Sequence, residues 1–352
     1  MALRNSALKE RHWEEINEII GVELDLESDE LTLGVLLSMG VDKSMEEIQE
    51  ISGRAAAEQS LEEMLDKVKR VWEDLELVLN PYKDSKEVFI LGSVDDVITA
   101  LEDSLVNIST ISGSRFVGPI RDEVEEWQKN LMLFQETLDE WLAVQRNWVY
   151  LESIFSAGDI KKQLPIESAK FMEIDQHWRN IMKDTNDYSV ALVAGTKEGR
   201  LEQFKEFNET LDQIQKSLEE YLHSKRKAFP RFFFLSNDEL LEILAQARRV
   251  QAVQPHLRKC FDNLVKLRFS GGEDDKSGGG GSSGGSDIVG MISSEGEEIP
   301  FFKALKARGN VEKWLLEVEE HMIKSMHAVM KKGFIDYPEQ PRKEWVAEKE
   351  AQ

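Results

Sequence analysis

Apolar side chains recur at helical spacing along most of the chain, in stripes long enough to pack helices lengthwise. The longest stripe follows Pro119 and takes in Ile120, Val124, Trp127, Leu131, Phe134, Leu138, Trp141 and Trp148, in alternating steps of four and three. Gln145 is its one polar interruption. That alternation is a heptad seam, and Pro119 suits a first helical position, so the pattern predicts a helix from Pro119 to about Phe155. A second stripe holds Leu61, Met64, Leu65, Val68, Trp72, Leu75 and Leu79. Ser60 with Glu63 reads as a capping box at its start and Pro81 as its end. Shorter periodic runs predict helices over Ser93–Leu105, Phe171–Met182, Leu201 to about Arg226, and Val311–Met330. Another is expected after Pro255, through Leu257, Cys260, Phe261 and Leu264.

Between these runs the composition changes. Ser109–Gly118 reads as a connector, Asp159–Lys170 as a connector or a short helix, and Asp184–Gly199 as a loosened stretch with Asn186 and Gly195. The stretch DIVGMISSEGEEIPF alternates like two strands around Ser293–Gly296, a β-hairpin near Ile288–Phe301. Pro338 and Pro341 are expected to stop regular structure. The tract SGGGGSSGGS, Ser277–Ser286, is a flexible coil unlike its surroundings and reads as an engineered splice in place of a native loop. The segment FPRFFFLSNDELLEIL joins two periods. Phe229, Phe232, Phe233 and Phe234, beside Pro230, predict an extended stretch buried on more than one side. Ser236 and Glu239 then form a capping box for a helix carrying Leu240, Leu241 and Leu244. The fold class is therefore all-α, an elongated array of helix bundles with one small hairpin.

Charge and composition narrow the function more than they define it. The 352 residues carry a net charge of −23, which repels phosphate backbones and argues against nucleic-acid partners. No apolar run is long enough to cross a membrane. The single cysteine, Cys260, excludes an internal disulfide framework, and its apolar neighbours predict a buried structural thiol. Asp25, Glu27 and Asp29 alternate as in a calcium loop, but Glu30 stands where a glycine is needed and Leu36 where a glutamate is. A solvated acidic turn is the better account. Gly195-Thr196-Lys197 lacks phosphate-loop spacing, and His321 and His327 fall on different helical faces. Tryptophans 72, 127, 141, 148, 178 and 314 sit on apolar stripes and predict core packing. No catalytic, cofactor-binding or metal residue emerges.

Several long runs share one resemblance. FPRFFFLSNDELLEIL with VQPHLRKCFDNLVKL resembles the linker signature of dynein heavy chains, carried by Phe229, Pro230, Arg231, Phe232, Phe234, Leu235, Ser236, Asn237, Asp238, Glu239, Leu240, Gln254, Pro255 and His256. The runs LGSVDDVITALEDSLVNISTISGSRFVGPIRDEVEEW, LDEWLAVQRNWVYLESIFSAGDIKKQLPIES and IQKSLEEYLHSKRKAFPRF resemble it too, in family order over roughly Leu61 to Trp345, more as in axonemal than in cytoplasmic members. The resemblance implies a non-catalytic lever that arches over the AAA+ ring of the same heavy chain and bends as the ring hydrolyses ATP. Its partners would be that ring and, indirectly, other dynein subunits and the microtubule. Its place would be the cytoplasm and cytoskeleton, in the axoneme of a cilium or flagellum. The isolated chain is expected to be monomeric. Candidate hinges are Gly113, Gly118, Gly158 and Pro165, in connectors flanking the long helix. The segments implied are an acidic N-terminal stretch (1–60), linker bundles (61–270), a loop with the Gly/Ser tract (271–287) and a last subdomain (288–352). Family members continue past a final tryptophan into the first AAA+ module, whereas this chain ends VAEKEAQ, so a trimmed junction is expected. The alternative is an α-helical scaffold that only docks partner helices.

Overall fold

The computed structural model describes residues 2–22, 34–35, 41–83, 85–156, 158–245, 250–270, 287–339 and 341–348. The calcium-like turn and the Gly/Ser tract lie outside them. The fold is mainly α-helical, with two small antiparallel sheets. Its chain divides into two compact units, residues 1–146 with 175–208, and residues 147–174 with 209–352.

The first unit is built on α1 (Glu10–Ile20), α2 (Met45–Asp74), β1 (Leu79–Pro81), β2 (Phe89–Leu91) and α3 (Asp95–Ser112). To these it adds most of α4 (Arg121–Phe155), the second half of α6 (Pro165–Asp187), the short α7 (Ala191–Gly195) and the start of α8 (Arg200–Ala228). The helix α2 passes straight through Ser60, so the capping box expected there does not exist. Its buried stripe starts earlier, at Ile48, Ile51 and Ala55, and continues through Leu61, Leu65, Val68 and Trp72. Glu58 interrupts the apolar pattern but is itself only 7% exposed. His12 Nε2 lies 3.0 Å from its carboxylate, and Arg11 pairs with it too, which explains how a charge sits on the packed face. The helix ends at Asp74, so Leu79 and Pro81 belong instead to β1, whose residues pair with β2 in the register Leu79 to Leu91 and Pro81 to Phe89. Further on, α3 runs to Ser112 rather than Leu105, with Thr110 Oγ1 donating to the Val106 carbonyl.

The seam of α4 holds as expected. Val124, Leu131, Phe134, Leu138, Trp141, Trp148 and Leu151 are all buried, while Trp127 is half-buried. Val144 takes the buried place next to Gln145. In the first unit Phe134 meets Trp72 edge to face at 5.1 Å, and Trp141 meets Phe204 at 5.1 Å. The Trp141 indole N–H points at Met182 sulfur, 3.3 Å away. Gly195, on α7, is a glycine for a steric reason. A Cβ there would stand 2.4 Å from Phe134 Cδ2.

The second unit holds the ends of α4 and α8, α5 (Gly158–Gln163) and the first half of α6, whose Phe171 stacks on Phe155 at 5.3 Å. It also holds α9 (Asn237–Ala245), the single turn α10 (Leu257–Cys260), β3 (Leu264–Phe269), β4 (Asp287–Ser293), β5 (Glu298–Lys306), α11 (Val311–Asp336) and α12 (Arg342–Glu348). The expected helix through Leu264 stops after one turn. Phe261 is already extended, Asn263 takes a left-handed φ of 60°, and Leu264 opens a strand. The hairpin is therefore part of a three-stranded sheet in the order β3-β4-β5. Its turn passes through Gly296 at φ 86°, where Gly296 N–H donates to the Ser293 carbonyl. Beyond Pro338 and Pro341 structure does not stop: α12 follows, and Trp345 Nε1 donates to the Gly333 carbonyl at 3.0 Å.

Candidate functional site

The signature segment lies wholly in the second unit. Its aromatic half is neither extended nor buried throughout. Phe229 is extended, and Pro230–Phe234 form one turn of 3-10 helix, which Pro230 can open because a first helical residue needs no N–H donor. Phe229 and Phe232 are fully buried and meet edge to face at 4.9 Å, but Phe233 and Phe234 face solvent. A tight turn cannot put consecutive rings on the same side, so only two of the four reach the core.

Arginines hold this turn. From the end of α8, Arg226 donates to the carbonyls of Phe232 and Leu235 and to Asn237 Oδ1, at 3.4, 3.1 and 2.9 Å. Arg231 donates to Glu319 Oε1 at 2.9 and 3.0 Å and to the Cys260 carbonyl at 3.1 Å, with its guanidinium 4.8 Å from the Phe261 ring. Lys225 pairs with Glu312 at 2.7 Å, the glutamate being 5% exposed. That carboxylate, with burial as the larger cause, pushes the Tyr221 phenol up to about 12. Buried Leu235 and Leu240 bracket the capping box, which forms as expected. Ser236 N–H donates to Glu239 at 3.0 Å, and Glu239 N–H to Ser236 Oγ at 3.2 Å. Lys259 adds a charge-assisted bond to Glu239, and together these hold its carboxyl down to about 2.

The second part of the signature fastens the sheet. Gln254 Nε2 donates to the Leu267 carbonyl at 2.8 Å and its Oε1 accepts from Leu267 N–H at 3.0 Å, closing the free edge of β3. In the first unit Gln145 does the same to Leu91 at the edge of β2, at 3.0 and 2.7 Å. Pro255 lies in the 3-10 turn Val250–His256, and His256, 7% exposed, sits 3.4 Å from Glu242. Asp238 is exposed and, with Ser153, Ile154, Ile160, Leu241 and Glu242, lines a shallow cleft of about 240 Å³. It helps raise the half-buried Tyr150, whose burial is the larger cause.

The four candidate hinge residues stand at element ends. Gly113 closes α3 at φ −74°, Gly118 opens a 3-10 turn with no atom within 4 Å of a built Cβ, Gly158 opens α5 and Pro165 opens α6. None of the two glycines whose surroundings are described needs to be glycine.

Chemistry is sparse. Burial pushes the Cys260 thiol up to about 11, against the opposing pull of Arg231, which leaves it protonated and inert. Among the described residues no group of three or more His, Cys, Asp or Glu is placed to hold a metal ion, and no helix is long and apolar enough to cross a membrane. Sequence reasoning missed Arg226, Lys225 and the partners of Arg231, because Glu312 and Glu319 lie far along the chain and carry no local signal.

What the fold and this junction define is a helical module that fastens elements to one another. The chain belongs to the dynein heavy chain family, its residues 1–333 matching the family's N-terminal region 2. It is 49% identical over 350 residues to Dynein axonemal heavy chain 6 of Homo sapiens, covering 98% of this chain and 8% of that protein. To Dynein axonemal heavy chain 12 of Rattus norvegicus it is 40% identical over 344 residues, 97% of this chain and 11% of that one. To Dynein axonemal heavy chain 2 of Mus musculus it is 41% identical over 354 residues, 98% and 8%. The chain thus spans about a tenth of the length of these relatives.

Proposed function

We propose that the chain is the linker of an axonemal dynein heavy chain, a lever that bends and straightens over the AAA+ ring of the same protein. The ring hydrolyses ATP, and the lever turns its shape changes into movement along microtubules. The observation that carries this reading is the family match across residues 1–333 with relatives named as axonemal heavy chains. Helices of 30, 35 and 29 residues support it, since the longest spans about 52 Å at 1.5 Å per residue. On this reading the chain catalyses nothing itself. Its direct partner is the ring, its indirect ones other dynein subunits and the microtubule, and its place the axoneme of a cilium or flagellum. The bundles of residues 61–270 form the body of the lever and residues 288–352 its last subdomain.

A bend beside α4, within Ser109–Gly118 or within Asp159–Lys170 where α5 gives way to α6, is part of the proposal. The packed seam of α4 would lose several buried side chains if it broke, at roughly 1.5–3 kcal/mol each. Distance labels on the full heavy chain test this. The exposed pair Glu126 and Arg146, within α4, should hold its distance between nucleotide states. A pair spanning Glu102–Glu136 or Arg146–Glu173 should change. Gln145 is left unlabelled because its amide holds Leu91. Movement inside α4 as large as across the connectors rejects the hinge, and no movement in any pair rejects the lever.

A further inference from the structure

Two helices of the first unit leave a cleft between them. Trp72 Nε1 of α2 donates to Ser104 Oγ of α3 at 3.0 Å, a contact that holds the two helices side by side. The cleft next to that bond measures about 400 Å³, and its apolar lining is Val68, Val71 and Ala100. Val71 is left 45% exposed there. One wall is α3, which presents Asp96 and Asp103, and the other is α2, which presents Lys67. The two aspartates are two helical turns apart, so they share one side of α3 at a spacing of about 10 Å along it.

Where α2 faces other elements, charges are matched. Lys69 pairs with Glu123 of α4 at 2.5 Å, and Glu58 and Glu62 pair with Arg11 and Lys9. At the cleft they are not. Lys67, Asp96 and Asp103 are exposed and make no ion pair or hydrogen bond among the described residues. A groove between two packed helices has the shape that takes the ridge of a third, and walls of opposite sign fix what that third helix carries. We propose that the cleft docks an amphipathic helix of a partner protein, with lysines or arginines seven residues apart along one edge, a carboxylate along the other and small apolar residues between. The two cations meet Asp96 and Asp103, the carboxylate meets Lys67, and the apolar ridge rests on Val68, Val71 and Ala100. With its net charge of −23 the chain attracts any cationic segment, and the carboxylate opposite Lys67 is what distinguishes this site from the rest of the surface. The proposal goes beyond the lever reading and does not depend on it.

Fluorescence anisotropy on the purified chain tests it with three labelled, alanine-based helical peptides. The first has two lysines seven apart on one edge and a glutamate on the other. The second has the same residues shuffled around the helix, and the third has lysine and glutamate exchanged. The first should bind at least tenfold more tightly than either of the others and weaken in high salt. Reversing the walls with Asp96→Lys, Asp103→Lys and Lys67→Glu should transfer that preference to the third peptide, although the chain as a whole stays strongly acidic. The milder pair Asp96→Asn and Asp103→Asn should bring the first peptide down to the shuffled one. It should leave the melting temperature nearly unchanged, because both side chains are exposed. Ala100→Phe, which fills the cleft, should lower the affinity at least tenfold. Equal binding of the first two peptides, no binding of the first, or a preference that survives the wall reversal or the asparagine pair would each overturn the proposal. So would sedimentation in which the free chain dimerises and the Ala100→Phe chain does not, which would assign the cleft to a second copy.

Discussion

The packing of α4 in the first unit and the aromatic junction in the second are fastened by opposite means. Around Phe134 and Trp141 the contacts are rings, a sulfur and a glycine, with Trp72, Phe204, Met182 and Gly195 closing on the seam. Around Phe229 and Phe232 the rings form only the floor, and Lys225, Arg226, Arg231 and Lys259 tie the walls together. Apolar packing is nondirectional and insensitive to pH, whereas charge-assisted bonds need particular partners in particular protonation states. The difference teaches where each unit is vulnerable: the first to lost volume, the second to lost partners.

The largest effect should come from Trp141→Ala, which empties a fully buried indole site against Phe204 and Met182. Urea unfolding should show a loss of about 3–5 kcal/mol, the same at pH 5 and pH 8. A loss below about 1 kcal/mol would mean that the seam is not tightly packed. In the second unit, Lys225→Met leaves the buried Glu312 carboxylate without its cation, at a cost of about 3 kcal/mol. Adding Glu312→Gln to that variant should restore part of the loss. If the double variant is as unstable as the single one, the pair is not what holds α8 to α11.

These two regions also differ in how far they could be read from the chain. The α4 seam was legible because a heptad is a local, periodic signal, and even its polar exception marked a real contact. The capping box at Ser236 and Glu239 was legible for the same reason, its two partners being three residues apart. At Ser60 the same motif misled, because buried Glu58 breaks the apolar pattern of a helix that had started at Met45. The burial of Phe233 and Phe234 was misjudged because composition counts rings without fixing their directions. The pairs Arg231–Glu319 and Lys225–Glu312 join residues whose separation along the chain leaves no pattern to find.

A smaller effect separates the two glutamine clamps from the packing around them. Gln145→Leu keeps the volume and suits the seam, yet strips Leu91 N–H and carbonyl of their partner at a position 3% exposed. The net cost should be about 1–2 kcal/mol despite the gain in apolar surface. Gln254→Leu should cost a similar amount at Leu267. A stabilised Gln145→Leu chain would show that water replaces the amide freely and that the first unit tolerates polar loss as well as the comparison denies.

The smallest effect is the most specific to the junction. The Glu239 carboxyl is held down to about 2, first by Lys259 and then by Ser236 N–H, from an ordinary value of 4.5 in the unfolded chain. A depressed acid binds its proton more weakly when folded, so its stabilisation is fully present above the unfolded value and disappears as pH falls through the folded one. Glu239→Gln retains an amide oxygen that can still accept from Ser236 N–H, and it removes only the charge. The parent chain should therefore be more stable than the variant at pH 7. The gap should narrow below about pH 4.5 and close towards pH 2, and at pH 7 it should shrink in added salt because the pair is near the surface. Urea midpoints of the two chains measured side by side at pH 7, 4 and 3 decide it, since every other carboxylate titrates equally in both. A gap that stays constant with pH would mean that the hydrogen-bond geometry of the box matters and its charge does not, and the second unit would then resemble the first at this point.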